Sequence, residues 1–390
     1  MQEVFVVEAL RTPFGSLGGA LSRIPAAKLG ATVIKALMER SGLDAAAVDE
    51  VIAGQVLSGG CGQAPARQAM RYAGLPDSVA AMTINKVCGS GLKAMMLAAD
   101  AIRLGNAAVV VAGGMENMSL APHLLAQARA GYRLGGGELV DLMIADGLQD
   151  PYSGNHMGVI AEAAVARNHI SRERQDDYAR RSYQRAQQAV EQGIFAEELV
   201  AVAAGRKGEL MVARDEEPFK CNLDKMTQLR PVFAKDGSIT AANASIISDG
   251  AAFALLAGEE AVKQHNLTVR ARLVAAATSS LAPDYFPEAP VEAIGKVCER
   301  AGISLDEIAL FEINEAFAAV ALLAIDALKL DEDKVNVNGG AVSIGHPLGA
   351  SGARLAATLV RELHRRRQRY GLAVLCIGGG EAVAAIFERV

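Results

Sequence analysis

Residues Asn85 to Ala94 read NKVCGSGLKA, and this segment carries the strongest signal in the 390-residue chain. It places Cys88 between an apolar run, Met82 to Val87, and an amphipathic helical pattern, Gly91 to Leu104. The free N–H groups and the positive dipole end of a helix N-terminus favour a thiolate over a thiol. Cys88 is therefore a candidate nucleophile, although a lone cysteine more often serves as a small buried hydrophobic residue.

The same segment also allows a dinucleotide-binding interpretation. Residues 89–94, GSGLKA, match the pattern GxGxxA after a predicted strand. Glu116 follows the next apolar run, where an acidic residue of such a fold would contact a ribose. This hypothesis gives no role to the cysteines and predicts no second copy of the unit.

Three further candidate residues lie towards the C-terminus. His346 lies in a Gly/Pro-rich loop that opens a helical pattern, although it could be an ordinary hydrogen-bonded loop histidine. Cys376 ends a strand-like run before three glycines, whose N–H groups a substrate can approach, and its plain alternative is a buried strand thiol. Asn314 could simply be the N-cap of a helix predicted over Glu315 to Leu328.

An internal repeat connects these candidates. The regions after Cys88 and after His346 share a Ser-Gly helix start, a helix, a strand, glycines and then a glutamate. Two similar α/β halves predict strand ends that meet at one crevice. Cys88, His346 and Cys376 are therefore expected to lie together, which the dinucleotide-binding hypothesis does not predict.

Taken together, these motifs resemble those of the thiolases. The resemblance covers essentially the whole chain, and motifs that are long, ordered and mutually spaced are far more specific than a lone GxGxxG. The matching segments are RTPFG (11–15), NKVCGSGLKA (85–94), GGMENMS (113–119), NASIISDGAA (243–252), NEAFA (314–318), GGAVSIGHPLGASGAR (339–354) and CIGGGE (376–381).

The resemblance implies an α/β protein with a layered αβαβα fold, built from two similar α/β halves and an inserted loop domain. Residues 1–117 and 246–269 would form the N-terminal half with the nucleophilic cysteine, and residues 270–390 the C-terminal half with Asn314, His346 and Cys376. Residues 118–245 would form the loop domain that binds coenzyme A. The segment Tyr132 to Met143 resembles the loop that joins thiolase dimers, so a homotetramer is expected, with a dimer as the fallback.

The implied reaction is the reversible Claisen condensation of two acetyl-CoA molecules to acetoacetyl-CoA and coenzyme A. The resemblance gives Cys88 as the acylated nucleophile, His346 as its activating base and Cys376 as the acid/base that exchanges a proton with acetyl-CoA. Asn314 would hold a water that forms one oxyanion hole with His346, and the N–H groups of Cys88 and Gly378 would form the other. Coenzyme A is substrate and product, so neither a cofactor nor a metal is expected.

The implied acyl pocket resembles that of short-chain thiolases, in which a His-Met pair such as His156 and Met157 closes the site. Phe286 stands in the segment FPEAP (286–290), where such enzymes usually carry MGTGP, and would form part of the pocket wall. Two other departures are Ile246, where a small residue is common, and Glu216 to Pro218, which lack the usual loop-domain arginine. By the same resemblance, the pantetheine tunnel would be lined by Leu148, Phe233, Ala241, Ser245, Ala316 and Phe317.

Two alternative functions remain. One is a 3-ketoacyl-CoA thiolase of fatty-acid β-oxidation with a broader chain range. The other is a non-catalytic thiolase-like protein that binds acyl-CoA or serves as a scaffold, although such a protein usually loses one of the four catalytic residues. Decarboxylating condensing enzymes share the layered fold, but a second His or an Asn would be expected at Cys376.

Composition agrees with a soluble enzyme that acts on acyl-CoA. The chain is 51% hydrophobic and 21% charged, and no apolar run approaches the length of a membrane span. Glu3 and Glu8 stand where a signal peptide would carry basic residues, so a cytoplasmic location is expected. Five cysteines without a CxxC pattern indicate neither a disulfide framework nor a zinc site. A net charge of −5 disfavours nucleic acid, and the arginines of 361–369 indicate a solvated helix face.

Overall fold

Strands and helices alternate along this chain, for which a computed structural model describes residues 2–205 and 208–390. The strands are β1 (Val4–Arg11), β2 (Gly15–Ser16), β3 (Glu50–Gly54), β4 (Ala80–Ile84), β5 (Val109–Asn117), β6 (His123–Leu124), β7 (Val140–Asp141), β8 (Val202–Ala204), β9 (Leu210–Val212), β10 (Ser248–Gly258), β11 (Ala271–Ser280), β12 (Ile308–Ile313), β13 (Tyr370–Ile377) and β14 (Glu381–Arg389). The helices are α1 (Ala26–Ser41), α2 (Pro65–Tyr72), α3 (Ser90–Arg103), α4 (Met157–Arg167), α5 (Arg172–Glu191), α6 (Glu259–Gln264), α7 (Ala289–Ala301), α8 (Ala318–Leu328), α9 (Ala341–Ile344) and α10 (Leu348–Arg365).

Local sequence signals set the ends of several helices. Helix α1 ends at Gly42, which has a φ of 68° and adopts the left-handed conformation that glycine tolerates best. At the start of α5, the side chain of Ser171 accepts a hydrogen bond from the Arg174 N–H at 3.2 Å. Gly193, with a φ of 67°, follows the end of α5. Each of these two helices thus has a terminus that is marked by a local sequence signal.

One mixed sheet forms the frame of the molecule. Its strand order is β12-β13-β14-β11-β1-β10-β5-β3-β4, and β2 pairs with β10. Strand β3 runs parallel to β4 and β5, and β12 runs parallel to β13, whereas the other neighbours are antiparallel. The two halves of the sheet join through β1 and β11, where Phe5 opposes Arg272 and Val6 opposes Ala271.

Helices α3 and α10 pack between the two halves of this sheet. They share one buried apolar cluster with the inner faces of both halves. The helices approach so closely that a Cβ atom on Gly352 would lie 2.3 Å from the Leu92 backbone nitrogen. Helices α1 and α2 cover the outer face of the first half, and α7 and α8 cover that of the second. The predicted αβαβα layering is confirmed.

The chain returns to the first half after a long insertion. Strand β10, from the segment 246–269, lies between β1 and β5 of that half. Residues 118–245 form the hairpins β6-β7 and β8-β9 together with α4 and α5. The exact boundaries of the two halves and of the loop domain stay a prediction.

The arginine-rich end of α10 is neutralised by carboxylates. These ion pairs leave little free positive charge for an anionic polymer, in agreement with the solvated-face interpretation. In the described part of the chain, no helix is long and apolar enough to cross a membrane. The pairs are Arg361 with Glu8 and Glu197, Arg365 and Arg366 with Glu362, and Arg369 with Glu388.

Candidate active site

Cys88 lies in a short, tightly bonded loop between β4 and α3. The Oγ atom of Ser90 accepts a hydrogen bond from the Lys86 N–H at 2.8 Å and donates one to the Val87 carbonyl at 2.7 Å. Val87 has a φ of 46°, a left-handed conformation that is rare for a β-branched residue. The loop therefore holds Cys88 in a defined position just before the helix.

A cavity of about 300 Å³ opens beside this loop. Its size suits a small acyl group and part of a thioester arm. The sequence-predicted residues that line it are Cys88, Leu148, His156, Met157, Phe233, Ser245, Phe286, Ala316, Phe317, His346, Cys376 and Gly378. The structure thus brings both cysteines and the histidine to one cavity.

Two predicted residues, Asn314 and Ala241, do not line this cavity. Asn314 lies directly behind it, with its Nδ2 atom 3.4 Å from His346 Nε2. Ala241 lines an adjacent groove together with Tyr183, and Ile246 contacts both the groove and the cavity. Asn314 therefore belongs to the same constellation, whereas Ala241 belongs to a neighbouring space.

His346 is held as a neutral base by its hydrogen bonds and its burial. Its Nδ1 atom lies 2.6 Å from Ser351 Oγ, and the Ser351 hydroxyl donates to the Pro347 carbonyl at 2.9 Å. Because that hydroxyl proton is already engaged, Nδ1 must carry the ring proton and Nε2 keeps a free lone pair. Burial, and secondarily the charge of Arg354, lowers the pKa of His346 to about 3. The lone pair of His346 Nε2, which can accept a proton, thus faces Asn314.

Asn314 is not a helix cap. Helix α8 begins at Ala318, and its N-cap is Phe317 in an extended conformation, so the N-cap interpretation of Asn314 is wrong. Asn314 instead continues from β12, and its N–H donates to the Val374 carbonyl at 2.9 Å. Its buried Oδ1 atom has no hydrogen-bond partner among the described residues. Such an atom is a ready site for a small polar ligand such as water.

The two active-site thiols are protonated in the free protein at neutral pH. Burial raises the pKa of Cys88 to about 11, although the N–H groups of Gly378 and of Cys88 itself act in the opposite direction. Burial, together with the nearby Cys88 thiol, raises the pKa of Cys376 well above its usual value. Burial therefore opposes the ionisation of Cys88 that its position before α3 favours.

Glu116 does not have the environment of a ribose-binding residue. It is fully buried, and its carboxylate accepts hydrogen bonds from the N–H groups of Val56, Leu57 and Gly349 at 3.0, 3.1 and 2.9 Å. Burial raises its pKa to about 7. Since Gly349 lies in the first turn of α10, Glu116 connects β5 to the helix that follows His346. The dinucleotide-binding hypothesis is therefore wrong.

Four rings form one wall of the cavity. The ring of His156 stacks on Phe233 with centroids 4.9 Å apart, and Phe233 meets the edge of Phe317 at 6.0 Å. Phe286 is tilted against Phe317 at 6.5 Å. Met157 Sδ would lie 3.3 Å from a Cβ atom on Gly378. These rigid side chains limit the space beyond a short acyl group.

Sequence reasoning missed several residues that shape the site. Ser351 and Glu315 lie within recognised motifs, yet no local signal gave them a role. The Glu315 carboxylate accepts hydrogen bonds from the Tyr178 and Ser182 hydroxyls at 2.9 and 2.8 Å and from the Val342 N–H at 3.0 Å, which fixes the segment before His346. The unpredicted cavity residues are Val87, Met118, Gly147, Val232, Ala244, Ile246, Ile247 and Leu348.

Two family models together match almost the whole chain. Residues 4–260 match the model "Thiolase, N-terminal domain", and residues 267–389 match "Thiolase, C-terminal domain". Acetyl-CoA acetyltransferase of Pseudomonas aeruginosa is 50% identical over 392 residues, and the alignment covers 100% of both chains. The protein of that name from Cupriavidus necator is 49% identical, again over 100% of both chains. The crystal structure of the Bacillus anthracis acetyl-CoA acetyltransferase superposes with a TM-score of 0.97 at 41% identity, covering 100% of this chain and 99% of the other.

Proposed function

The chain belongs to the thiolase family, and we propose that it is an acetyl-CoA C-acetyltransferase, which reversibly condenses two acetyl-CoA molecules to acetoacetyl-CoA and coenzyme A. The observation that carries this proposal is the single cavity lined by Cys88, His346, Cys376 and Gly378. Four intact groups around one small space argue against a purely binding or scaffolding role. The four-ring wall favours the shortest substrates.

The first half-reaction transfers an acetyl group to Cys88. The neutral His346 ring accepts the thiol proton, and the sulfur attacks the thioester carbonyl. The N–H groups of Cys88 and Gly378 stabilise the oxyanion, and such a donor typically contributes about 3 to 4 kcal/mol. The C–S bond to coenzyme A then breaks, and the leaving thiolate takes the proton back from His346.

The second half-reaction forms the carbon–carbon bond. Once Cys88 carries the acetyl group, Cys376 gives its thiol proton to Nε2 of His346, and the resulting Cys376 thiolate takes an α-proton from a second acetyl-CoA. A water held by Asn314, together with the protonated His346, stabilises the enolate oxygen. The enolate carbon attacks the acetyl-Cys88 carbonyl, the C–S bond to Cys88 breaks to release acetoacetyl-CoA, and the Cys88 sulfur takes the proton from His346. Coenzyme A is substrate and product, so the proposal needs no separate cofactor.

The pantetheine arm of the substrate is proposed to pass Ile246 into the adjacent groove. Along this path Ala241 lines the pantetheine arm, as the resemblance implies. Lys225 lines the same groove, and its ammonium group suits the phosphates of coenzyme A, whereas Lys220 is paired with Glu217 at 3.2 Å. Lys225 would take the part of the arginine that Glu216 to Pro218 lack.

A homotetramer is proposed as the working assembly. In the segment 132–143, Leu134 is 97% exposed and Leu139 is 60% exposed, which leaves apolar surface for another subunit. Light scattering at micromolar concentration is expected to give four subunits, and a monomer would contradict the proposal.

We also propose a cytoplasmic location, since all five cysteines are free thiols.

Acyl transfer can be followed on the cysteines themselves. Incubation with acetyl-CoA is expected to add one acetyl mass to the peptide that contains Cys88, and Cys88→Ala abolishes this addition. Cys376→Ser still becomes acylated but no longer exchanges the α-protons of acetyl-CoA in D₂O, because a hydroxyl is a much weaker acid than a thiol. The control Cys298→Ser, on α7, retains both. Acetyl label found on Cys376 would overturn the assignment of the two roles.

A further inference from the structure

An ion pair joins the two loops that enclose the Cys88 thiol. The ammonium group of Lys86 contacts the carboxylate of Glu381. Lys86 lies two residues before Cys88, and Glu381 begins β14 directly after the glycine turn that starts at Gly378. The pair therefore connects two segments on either side of the thiol. One is the loop of Cys88 in the first half, residues 85–89, called the nucleophile loop. The other is the glycine turn of the second half, residues 378–380, called the oxyanion turn.

The nucleophile loop needs restraints to keep its conformation. Val87 is a β-branched residue at a φ of 46°, and such strain persists only where surrounding contacts enforce it. The Val87 N–H donates to Asn85 Oδ1 at 2.8 Å, and Ser90 Oγ accepts from the Lys86 N–H and donates to the Val87 carbonyl. These contacts all lie within the loop. Lys86 adds a contact to the opposite half of the protein.

The oxyanion turn has few side chains to hold it. Gly379 and Gly380 have φ angles of 89° and 90°, so the turn depends on conformations that favour glycine. Glu381, by contrast, is fixed in the sheet, where it opposes Ile377 of β13. Its side chain is 30% exposed and that of Lys86 is 26% exposed, so solvent screens the pair less than a fully exposed one.

We propose that the Lys86–Glu381 ion pair positions the Gly378 N–H against the Cys88 sulfur. This inference rests on the proposed acyl transfer, in which that N–H stabilises the oxyanion. Lys86 and Glu381 are positioning residues, because they act through Gly378 and Cys88 and do not touch the reacting atoms. A comparison of Lys86→Met with Glu381→Gln separates this positioning role from a simple effect of charge on the Cys88 thiol.

Removal of Lys86 and removal of Glu381 change the charge near Cys88 in opposite directions. Lys86→Met leaves a free carboxylate, which would raise the pKa of Cys88, whereas Glu381→Gln leaves a free ammonium group, which would lower it. A pure charge effect therefore predicts opposite changes in thiol reactivity. Loss of positioning predicts the same change in both variants, because both release the Gly378 N–H from the sulfur.

The test measures Cys88 alkylation by iodoacetamide at pH 8.5 and kcat and KM for thiolysis of acetoacetyl-CoA. Both single variants are expected to slow alkylation and to lower kcat by about two- to fivefold with little change in KM. The double variant should lose no more kcat and alkylation rate than the worse single variant. The exchanged pair, Lys86→Glu with Glu381→Lys, should recover most of both. At 1 M NaCl the difference between the wild type and the variants should shrink.

The matched controls are Lys296→Met and Glu292→Gln, which break an exposed ion pair on α7 and should leave both measurements unchanged. Alkylation rates that change in opposite directions, additive losses in the double variant, or unchanged kcat in both single variants would overturn the inference. A wild type that does not cleave acetoacetyl-CoA would overturn the proposed function instead. The alkylation measurement then still decides the positioning role, since it uses no thioester.

Discussion

Ser351 Oγ lies 2.6 Å from His346 Nδ1, and its own proton is donated to the Pro347 carbonyl. We predict that Ser351→Ala lowers kcat for acetoacetyl-CoA thiolysis by about tenfold with little change in KM, because the imidazole loses the acceptor that fixes its tautomer. Ser351→Cys, with a weaker acceptor of similar size, is expected to be intermediate. The direct measurement is the ¹⁵N shift of the His346 ring in protein labelled at its six histidines.

A merely structural role for Ser351 would leave those ring shifts unchanged while lowering the melting temperature. In the wild type, the shifts are expected to report a proton on Nδ1 and none on Nε2. A proton found on Nε2 would contradict both the assigned tautomer and the role of His346 as the base.

A second prediction concerns the reactivity of Cys88 in the free protein. Since burial raises its pKa to about 11, the thiolate fraction and the rate of alkylation by iodoacetamide should rise about tenfold per pH unit up to pH 9. The Cys376→Ser background isolates this reaction, and peptide mass spectrometry measures it. A plateau below pH 8 would show instead that the helix N-terminus or a protonated His346 already stabilises the thiolate.

The layered fold and most of the site were predicted from long motifs that resemble those of the thiolases. Cys88, His346 and Cys376 each follow an apolar run or open a helix, so the internal repeat was sufficient to bring them together. Helix α1 ends where its local sequence indicates, since Gly42 provides a strong stop signal. Local signals of this kind are read without knowledge of distant contacts.

What the sequence could not predict depends on packing between distant segments. Burial raises the pKa of Cys88, and the local sequence around a helix start gives no sign of that burial. Glu116 has a misleading local pattern, and its contact with Gly349 crosses 233 positions of the chain. The alternative of Asn314 as an N-cap placed the helix start three residues too early, because Glu315 and Ala316 are good helix formers although they lie in the segment before α8.

A third prediction concerns the buried carboxylate of Glu116. Glu116→Gln places an amide NH₂ against backbone N–H donors, and leaving a buried donor unpaired costs about 1–3 kcal/mol. The variant should therefore be destabilised by a similar amount in urea unfolding, whereas Glu39→Gln on the exposed face of α1 should change little. The folded-state pKa of Glu116, about 7, lies above the ordinary value of a glutamate, so its contribution to stability is largest at low pH and is lost as the pH rises through 7.

The stability gap between the wild type and Glu116→Gln is accordingly expected to narrow between pH 5.5 and pH 8.5. Urea unfolding at several pH values measures this gap. A gap that widens over the same range would mean that the three backbone donors lower the pKa of Glu116 more than burial raises it.

The last prediction tests chain length through the pocket wall. Phe286 is only 2% exposed and meets Phe317 at a centroid distance of 6.5 Å, so its ring occupies space that a longer acyl chain would need. We expect kcat/KM to fall about tenfold or more for each two carbons added beyond acetoacetyl-CoA, since each rejected methylene can cost about 1 to 3 kcal/mol. Phe286→Ala should raise kcat/KM for 3-ketohexanoyl-CoA relative to acetoacetyl-CoA by about tenfold.

The control for this prediction is Tyr285→Ala, because this neighbouring ring is 45% exposed and lies against Arg167, away from the cavity. If the wild type cleaves 3-ketohexanoyl-CoA or 3-ketooctanoyl-CoA as efficiently as acetoacetyl-CoA, the broader-range 3-ketoacyl-CoA thiolase replaces the short-chain assignment, and the ring wall is not the limit that its geometry indicates.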